Sequence, residues 1–407
     1  MTESGLELLA GEKVDLAATS QLEKSPIDPE KRYVEGEVRI VTDQARYPLS
    51  AVPTLLASGD YKLNPDFQRR HRWDSAAKSK LIESFIMNVP IPPIFLYEDE
   101  FGHYEVMDGL QRLTAISEFY GDVFALIGLS EWEQLNGFRY STLPEKIRKG
   151  IDRRYLSSII LLQETAKTPE LAQELKQLVF ERINSGGVRL TPQESRNALR
   201  DGPMNRRCRI LAREGALCRL WGIPEPSDTE LATGEPAPSD SVWTNEDYRS
   251  MADAELVLRF FAYRQLLDLQ KNLALRDYLD SYLDAANKFS PDLLDALTEL
   301  FKKTINFAED LLGQEAFYLW RERKNGTWNW NRRSTLAAYD PWMIVLSQLL
   351  PRAPELLAQA EDIRVGLKSY YEHNLGEWGG RTADAADITR RISSLTTFLH
   401  SYLSPAE

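Results

Sequence analysis

The chain has 407 residues, 43% of them apolar, which supports a sizeable core in two or three domains and excludes wholesale disorder. Its net charge is −12, with 49 Lys and Arg against 61 Asp and Glu, so a generally basic nucleic-acid coat is excluded while a local basic cleft is not. Two cysteines, Cys208 and Cys218, are too few for a disulfide framework or a cysteine-based zinc site.

The N-terminal stretch "MTESGLELLAGEKVDL" has neither the basic nor the long apolar region of a secretory signal. No segment approaches the roughly 18 apolar residues of a membrane span, so a reduced, cytoplasmic setting without membrane contact is expected. Residues 1–35 are polar, contain Pro26 and Pro29, and read as a flexible arm. "EVRIVTD" alternates as a strand does. Ser50 and Gly59 bracket a short helix as N-cap and C-cap.

Asp74 or Ser75 then caps a helix whose apolar positions Leu81, Ile82, Phe85 and Ile86 recur at helical spacing. Pro90, Pro92 and Pro93 end it. "IFLYE" and "YEVMD" read as strands joined by a turn at "EFGH", and "QRLTAISEFY" as a helix, which together make a compact α/β unit. Beyond about residue 125 the pattern becomes mostly helical. One helix starts near Thr168 or Pro169 and stops at Ser185-Gly186-Gly187. The next has Thr191 as N-cap, Pro192 at its first position and Glu194 completing a capping box. Residues 225–247 are acidic and aperiodic and read as a loop. "DAELVLRFFAYRQLLDLQ" is strongly amphipathic, and further helices follow to about residue 402. The expected class is therefore α+β, with a flexible arm (1–35), a small α/β domain (36–200) and a helical region (201–407). No internal repeat is present.

Three clusters carry chemistry. In "VMDGLQRLTAI" an acid, a glycine, Gln111 and Arg112 stand where a strand becomes a helix. The first amides of a helix are unpaired and, with the helix dipole, favour an anion. Gly109 lets the backbone turn and approach a ligand, and Arg112 can fork onto a phosphate or carboxylate. Asp108 can hold a metal ion or a ribose hydroxyl, or simply cap the helix; Gln111 can position water or a base. Equally, the acid can cap and Arg112 can pair with a surface acid. The second cluster, "DFQRRHRWD", offers Gln68, Arg69 and Arg70 to phosphate or base, with Trp73 assigned to the core. In the third, "FERINSGGVRLTPQES", Asn184 and the Gly186-Gly187 pair can approach a ligand or can just close a helix.

Together these stretches resemble the N-terminal domain of GmrSD-type type IV restriction proteins, whose fold is similar to ParB and sulfiredoxin. The resemblance runs through Phe67-Gln68-Arg69 with Trp73, Pro90 to Ile94, Asp108 to Thr114, Phe180 to Gly187, and Leu190 with Glu194. One departure stands out: Leu110 replaces the usual first glutamine of Asp-Gly-Gln-Gln-Arg. The resemblance implies NTP binding and hydrolysis with Mg²⁺, and sensing or restriction of foreign, often modified, DNA. It implies that Asp108, Gln111 and Arg112 are catalytic, that Asp108 meets the metal, and that Gly109, Leu113 and Thr114 join Arg112, Gln68, Arg69, Asn184 and Gly187 around the nucleotide. The Gly109-x-x-Arg112 spacing is that of the phosphate-holding turn in ParB-like proteins.

Many relatives carry a His-Asn-His nuclease domain. Of the four histidines, His71, His103, His373 and His400, only His373 with Asn374 touches that pattern, so a cutting activity is expected from a partner nuclease. Two basic segments remain for DNA. "RNALRDGPMNRRCRILAR" carries six arginines, Arg206 and Arg207 among them, and one acid. "WRERKNGTWNWNRR" brings Arg323, Lys324, Arg332 and three tryptophans, of which Trp328 is the candidate to stack on a base. A non-enzymatic DNA- or protein-binding adaptor and a nickase built on the ParB-like domain stand as alternatives. A homodimer is left open.

Overall fold

The computed structural model describes residues 8–14, 41–63, 70, 73–162, 169–184, 191–237, 239–265, 274–323, 325–378 and 385–404. It divides into two compact units, Glu23–Leu190 and Met1–Leu22 with Thr191–Glu407. The class is α+β, as the sequence pattern requires.

The smaller unit is built on a five-stranded mixed sheet. Its elements run β1 (Thr42–Pro48), α1 (Val52–Ala57), β2 (Tyr61–Lys62), α2 (Ser75–Ile86), β3 (Ile94–Glu100), β4 (His103–Asp108), α3 (Leu110–Tyr120), α4 (Glu145–Asp152), β5 (Tyr155–Leu161) and α5 (Pro169–Asn184). The strand order is β1-β5-β3-β4-β2, with β5 parallel to β3 and β3 antiparallel to β4. Asp74 caps α2 by accepting from the Ala77 amide, and the helix buries Leu81, Ile82 and Phe85. In α3, Leu110, Leu113, Ile116 and Phe119 recur every third residue and form the face that enters the same core.

The expected first strand, 37–43, is met at Thr42 and Asp43. β1 occupies Thr42–Pro48, while residues 37–40 lie outside the described residues. β5 is a strand inside the stretch read as helical, and it pairs with β1 from Thr42↔Leu161 to Pro48↔Tyr155.

The larger unit contains α6 (Pro192–Leu199), α7 (Pro203–Leu211), α8 (Gly215–Trp221), α9 (Asp228–Thr233), α10 (Glu246–Arg249), α11 (Ala252–Tyr263), α12 (Leu275–Ala286) and α13 (Pro291–Leu312). A hairpin of β6 (Trp320–Glu322) and β7 (Trp328–Trp330) follows, then α14 (Leu336–Gln348), α15 (Ala353–Leu357), α16 (Ala360–His373), α17 (Leu375–Trp378) and α18 (Ala385–His400). The capping box at Thr191 forms as read: Thr191 Oγ1 accepts from the Glu194 amide, and Glu194 Oε2 accepts from the Thr191 amide. α13 buries Leu294, Leu297, Phe301, Ile305 and Ala308 in the larger core and packs on α14, whose residues from Ala338 to Ser347 are all buried. The acidic stretch 225–247, read as a loop, holds α9, because Ser227 accepts from the Glu230 amide and caps a turn of helix.

Part of the N-terminal arm is docked rather than loose. Glu12 is fully buried and its carboxylate takes two bonds from Arg264, at 2.7 and 3.1 Å. Its carbonyl accepts from Gln265 Nε2, and Gln265 Oε1 accepts from the Val14 amide.

Candidate functional site

β4 turns into α3 through Gly109, whose φ of +99° lies in the left-handed region. A Cβ there would stand 2.3 Å from Ile94 Cγ2 and 3.3 Å from Arg112 Nη2, so only glycine fits this corner. The first helical bond runs from the Leu113 amide to the Gly109 carbonyl. No side chain caps the helix.

Arg112, one turn into α3, folds back over the corner. Its Nη1 donates to the Pro92 carbonyl at 2.7 Å and its Nη2 to Asp108 Oδ2 at 2.5 Å. The guanidinium side chain is 12% exposed and the Asp108 side chain 37%. Gln111 Oε1 accepts from the Trp73 amide at 3.1 Å. The chain after the "DFQRR" cluster and the proline run before β3 are thus both tied to the D-G-x-Q-R motif. The third cluster's helix also reaches the sheet: Lys176 on α5 pairs with Glu105 on β4 at 2.5 Å, with its ammonium 5.2 Å from the Tyr97 ring centre.

Residues 52–200 match the family model of the GmrSD restriction endonuclease N-terminal domain. They belong to that domain family. No curated protein and no solved structure matches the chain. The similarity covers that stretch of the chain, and the family it points to is one of restriction proteins. Residues 191–200 of the GmrSD domain lie in the larger unit, where they form α6.

Within the GmrSD domain, Leu110 is buried in the small core. The departure from the usual motif therefore falls on a core position, while the retained Gln111 and Arg112 sit at the corner. Leu113, expected beside a cofactor, has its side chain in the small core and its amide bonded to the Gly109 carbonyl. Thr114 is half-buried on α3. Gln68, Arg69, Gly187 and Lys324, and the side chain of Asn184, lie outside the described residues. Among the described residues no three His, Cys, Asp or Glu side chains gather as a metal-binding group. The carboxylate that the corner presents is that of Asp108, paired through Oδ2 with Arg112.

The expected nucleic-acid residues separate. Arg70 is 7% exposed. All six arginines of the first basic segment are ion-paired within the larger unit: Arg196 with Glu255 and Asp280, Arg200 with Asp284, Arg206 and Arg209 with Asp201, Arg207 with Asp295, and Arg213 with Glu230. Arg206 and Arg207, expected on DNA, are exposed and half-buried respectively and have Asp201 and Asp295 as ion-pair partners. The hairpin differs. Arg323 and Arg332 are exposed and Trp328 is half-exposed, whereas Trp320 and Trp330 pack on the larger core. His373 and Asn374 close α16, His373 Nδ1 lying 2.7 Å from the Ser369 carbonyl and Asn374 Nδ2 donating to Tyr370 O.

The Pro92 and Trp73 contacts were not readable beforehand, because they join residues 20 and 38 positions apart through backbone atoms that carry no sequence signature.

Proposed function

We propose that the GmrSD domain binds a nucleoside triphosphate at the β4–α3 corner and hydrolyses it with Mg²⁺. In this reading the chain is the DNA-sensing subunit of a prokaryotic anti-phage restriction system and acts with a partner nuclease. The observation that carries the reading is Arg112, held by Asp108 and the Pro92 carbonyl over a strand-to-helix corner that only glycine permits. A guanidinium has five N–H donors, and these two bonds engage two of them. The others, with the first amides of α3, suit a phosphate group.

Each remaining residue then has a role. Gly109 lets phosphate approach the backbone. Asp108 shares its carboxylate between Arg112 and a nucleotide-bound Mg²⁺, or orients water. Gln111, fixed by the Trp73 amide, positions water or a base; Gln68, Arg69, Thr114, Asn184 and Gly187 complete the nucleotide contacts. Mg²⁺ supplies charge neutralisation on the phosphates. Arg323, Lys324, Arg332 and Trp328 contact DNA.

A second reading is favoured by one observation: Arg112 and Gln111 already have partners in the chain itself, so the corner is complete without a ligand. The protein would then be a non-enzymatic adaptor. Calorimetry with the four NTPs and Mg²⁺, on wild type and Arg112→Ala, with phosphate release followed with and without DNA, separates the two. Binding and turnover lost together in the variant support the enzyme. Binding without turnover supports the adaptor, and no binding by wild type removes the nucleotide site altogether.

A further inference from the structure

We propose that the larger unit carries a second binding site, a pocket for one uncharged nucleobase. The cavity holds about 450 Å³ and lies among the N-terminal ends of α6 and α14, the end of α8 and the start of α11. That volume is within the range of small-molecule sites.

Its chemistry selects the ligand class. Trp221 forms an aromatic wall and is braced edge-on by Tyr339, with ring centres 5.5 Å apart. Two acids, Asp247 and Glu255, and two arginines, Arg259 and Arg333, complete a lining with no net charge. A polyphosphate finds no surplus of cations there. A nucleobase, which has a flat apolar face and an edge of mixed donors and acceptors, matches both features.

Gln193 supplies the independent observation. It lines the cavity and is 1% exposed. Its Oε1 accepts from Arg196 Nη1 at 3.2 Å, and Arg196 is itself fixed by Asp280 at 2.5 Å and Glu255 at 2.9 Å. The amide is therefore oriented, and its Nε2 is left without a hydrogen-bond partner. A buried donor in that state destabilises the fold, and an acceptor on a bound base relieves it.

The base comes either from a free nucleoside or from a nucleic-acid strand. Arg333, on the cavity's lining, is exposed and stands three residues after β7 of the hairpin that exposes Arg323 and Arg332. A strand whose phosphates lie along these arginines can deliver an unstacked base. Only this strand source rests on the DNA part of the proposed function.

The test is calorimetry on the full chain with the four unphosphorylated deoxynucleosides. A single-stranded oligonucleotide bearing one base among abasic positions is titrated beside its fully abasic counterpart. Gln193→Leu removes the donor. Leu336→Trp, at a 37% exposed position of the lining, fills the cavity without breaking a buried bond and covers the case in which Gln193→Leu fails to fold. Either variant is expected to weaken binding by about tenfold or more. If the strand is the source, the single-base oligonucleotide binds more tightly than the abasic one and Arg333→Ala weakens it; if the free nucleoside is, nucleosides alone bind. Arg112→Ala is expected to leave both titrations unchanged, which keeps this result separate from the NTP site. No binding of nucleosides or of the single-base strand overturns the site, as does binding that both pocket variants leave intact.

Discussion

Gly109 decides the geometry of the corner, because its backbone conformation and the closeness of Ile94 each exclude a side chain. A left-handed φ costs a non-glycine residue about 1–2 kcal/mol. The clash with Ile94 adds overpacking of the small core, a further ~1 kcal/mol or more. Gly109→Ala is therefore expected to destabilise the smaller unit by roughly 2–3 kcal/mol in urea unfolding, and Ile94→Ala in the same chain should recover part of that loss. A fully stable Gly109→Ala protein would show that the corner is looser than its contacts imply. The cysteines make a different point. Burial pushes the Cys208 thiol up to about 12 and the Cys218 thiol up to about 11, from an ordinary value of 9.0. Neither should react with a disulfide reagent at pH 8 until the protein unfolds, since the thiolate is the nucleophile. The folded protein retains thiol protons that the unfolded chain releases above 9.0, so these groups favour unfolding increasingly as the pH rises from there toward their folded values. Rapid labelling of native protein at pH 8 would contradict this burial.

Among the elements, those with local signatures were legible and those fixed by distant partners were not. Asp74 and the Thr191-Pro192-Glu194 box announce helix starts because a cap satisfies amides two or three residues away. β5 was missed because Ser158 interrupts its buried face with a polar group, whose hydroxyl is satisfied by the Ala45 carbonyl 113 positions away. The candidate site divides the same way: the glycine, the acid and the arginine spell a corner, but what holds Arg112 is a carbonyl, which every residue has. The N-terminal segment is the clearest case. Glu12 in a polar arm looks solvated, and nothing local reveals Arg264 as its partner. Removing one member of a buried pair leaves the other charge desolvated, typically at a cost of 3–5 kcal/mol, about what is expected of Glu12→Ala. Urea unfolding of Glu12→Ala beside a surface control such as Glu145→Ala measures it; equal stabilities would mean the segment is not docked in solution.

For the whole molecule, the net charge of −12 sets how DNA can be held. A protein of that charge repels a polyanion at long range, so binding depends on cations left unneutralised at the surface. The six arginines of the first basic segment do not qualify, because each has an acid of the larger unit beside it. The hairpin arginines do, since Arg323 and Arg332 are exposed and Arg323 has only the Trp330 carbonyl, at 3.4 Å, among its described side-chain bonds. Each phosphate contact on a single strand contributes about 0.7 to the slope of log affinity against log salt. The double variant Arg323→Ala and Arg332→Ala should therefore lower that slope by roughly 1.4 and weaken binding at low salt. Substitutions at exposed positions like these change stability by no more than about 0.5 kcal/mol, so the loss should come without unfolding. Arg206→Ala with Arg207→Ala is the matched control, with a slope expected to stay at the wild-type value because those side chains already have their counterions in Asp201 and Asp295. If the control lowers the slope and the hairpin variant does not, the DNA surface lies on α7, and the ion pairs there open when the strand arrives.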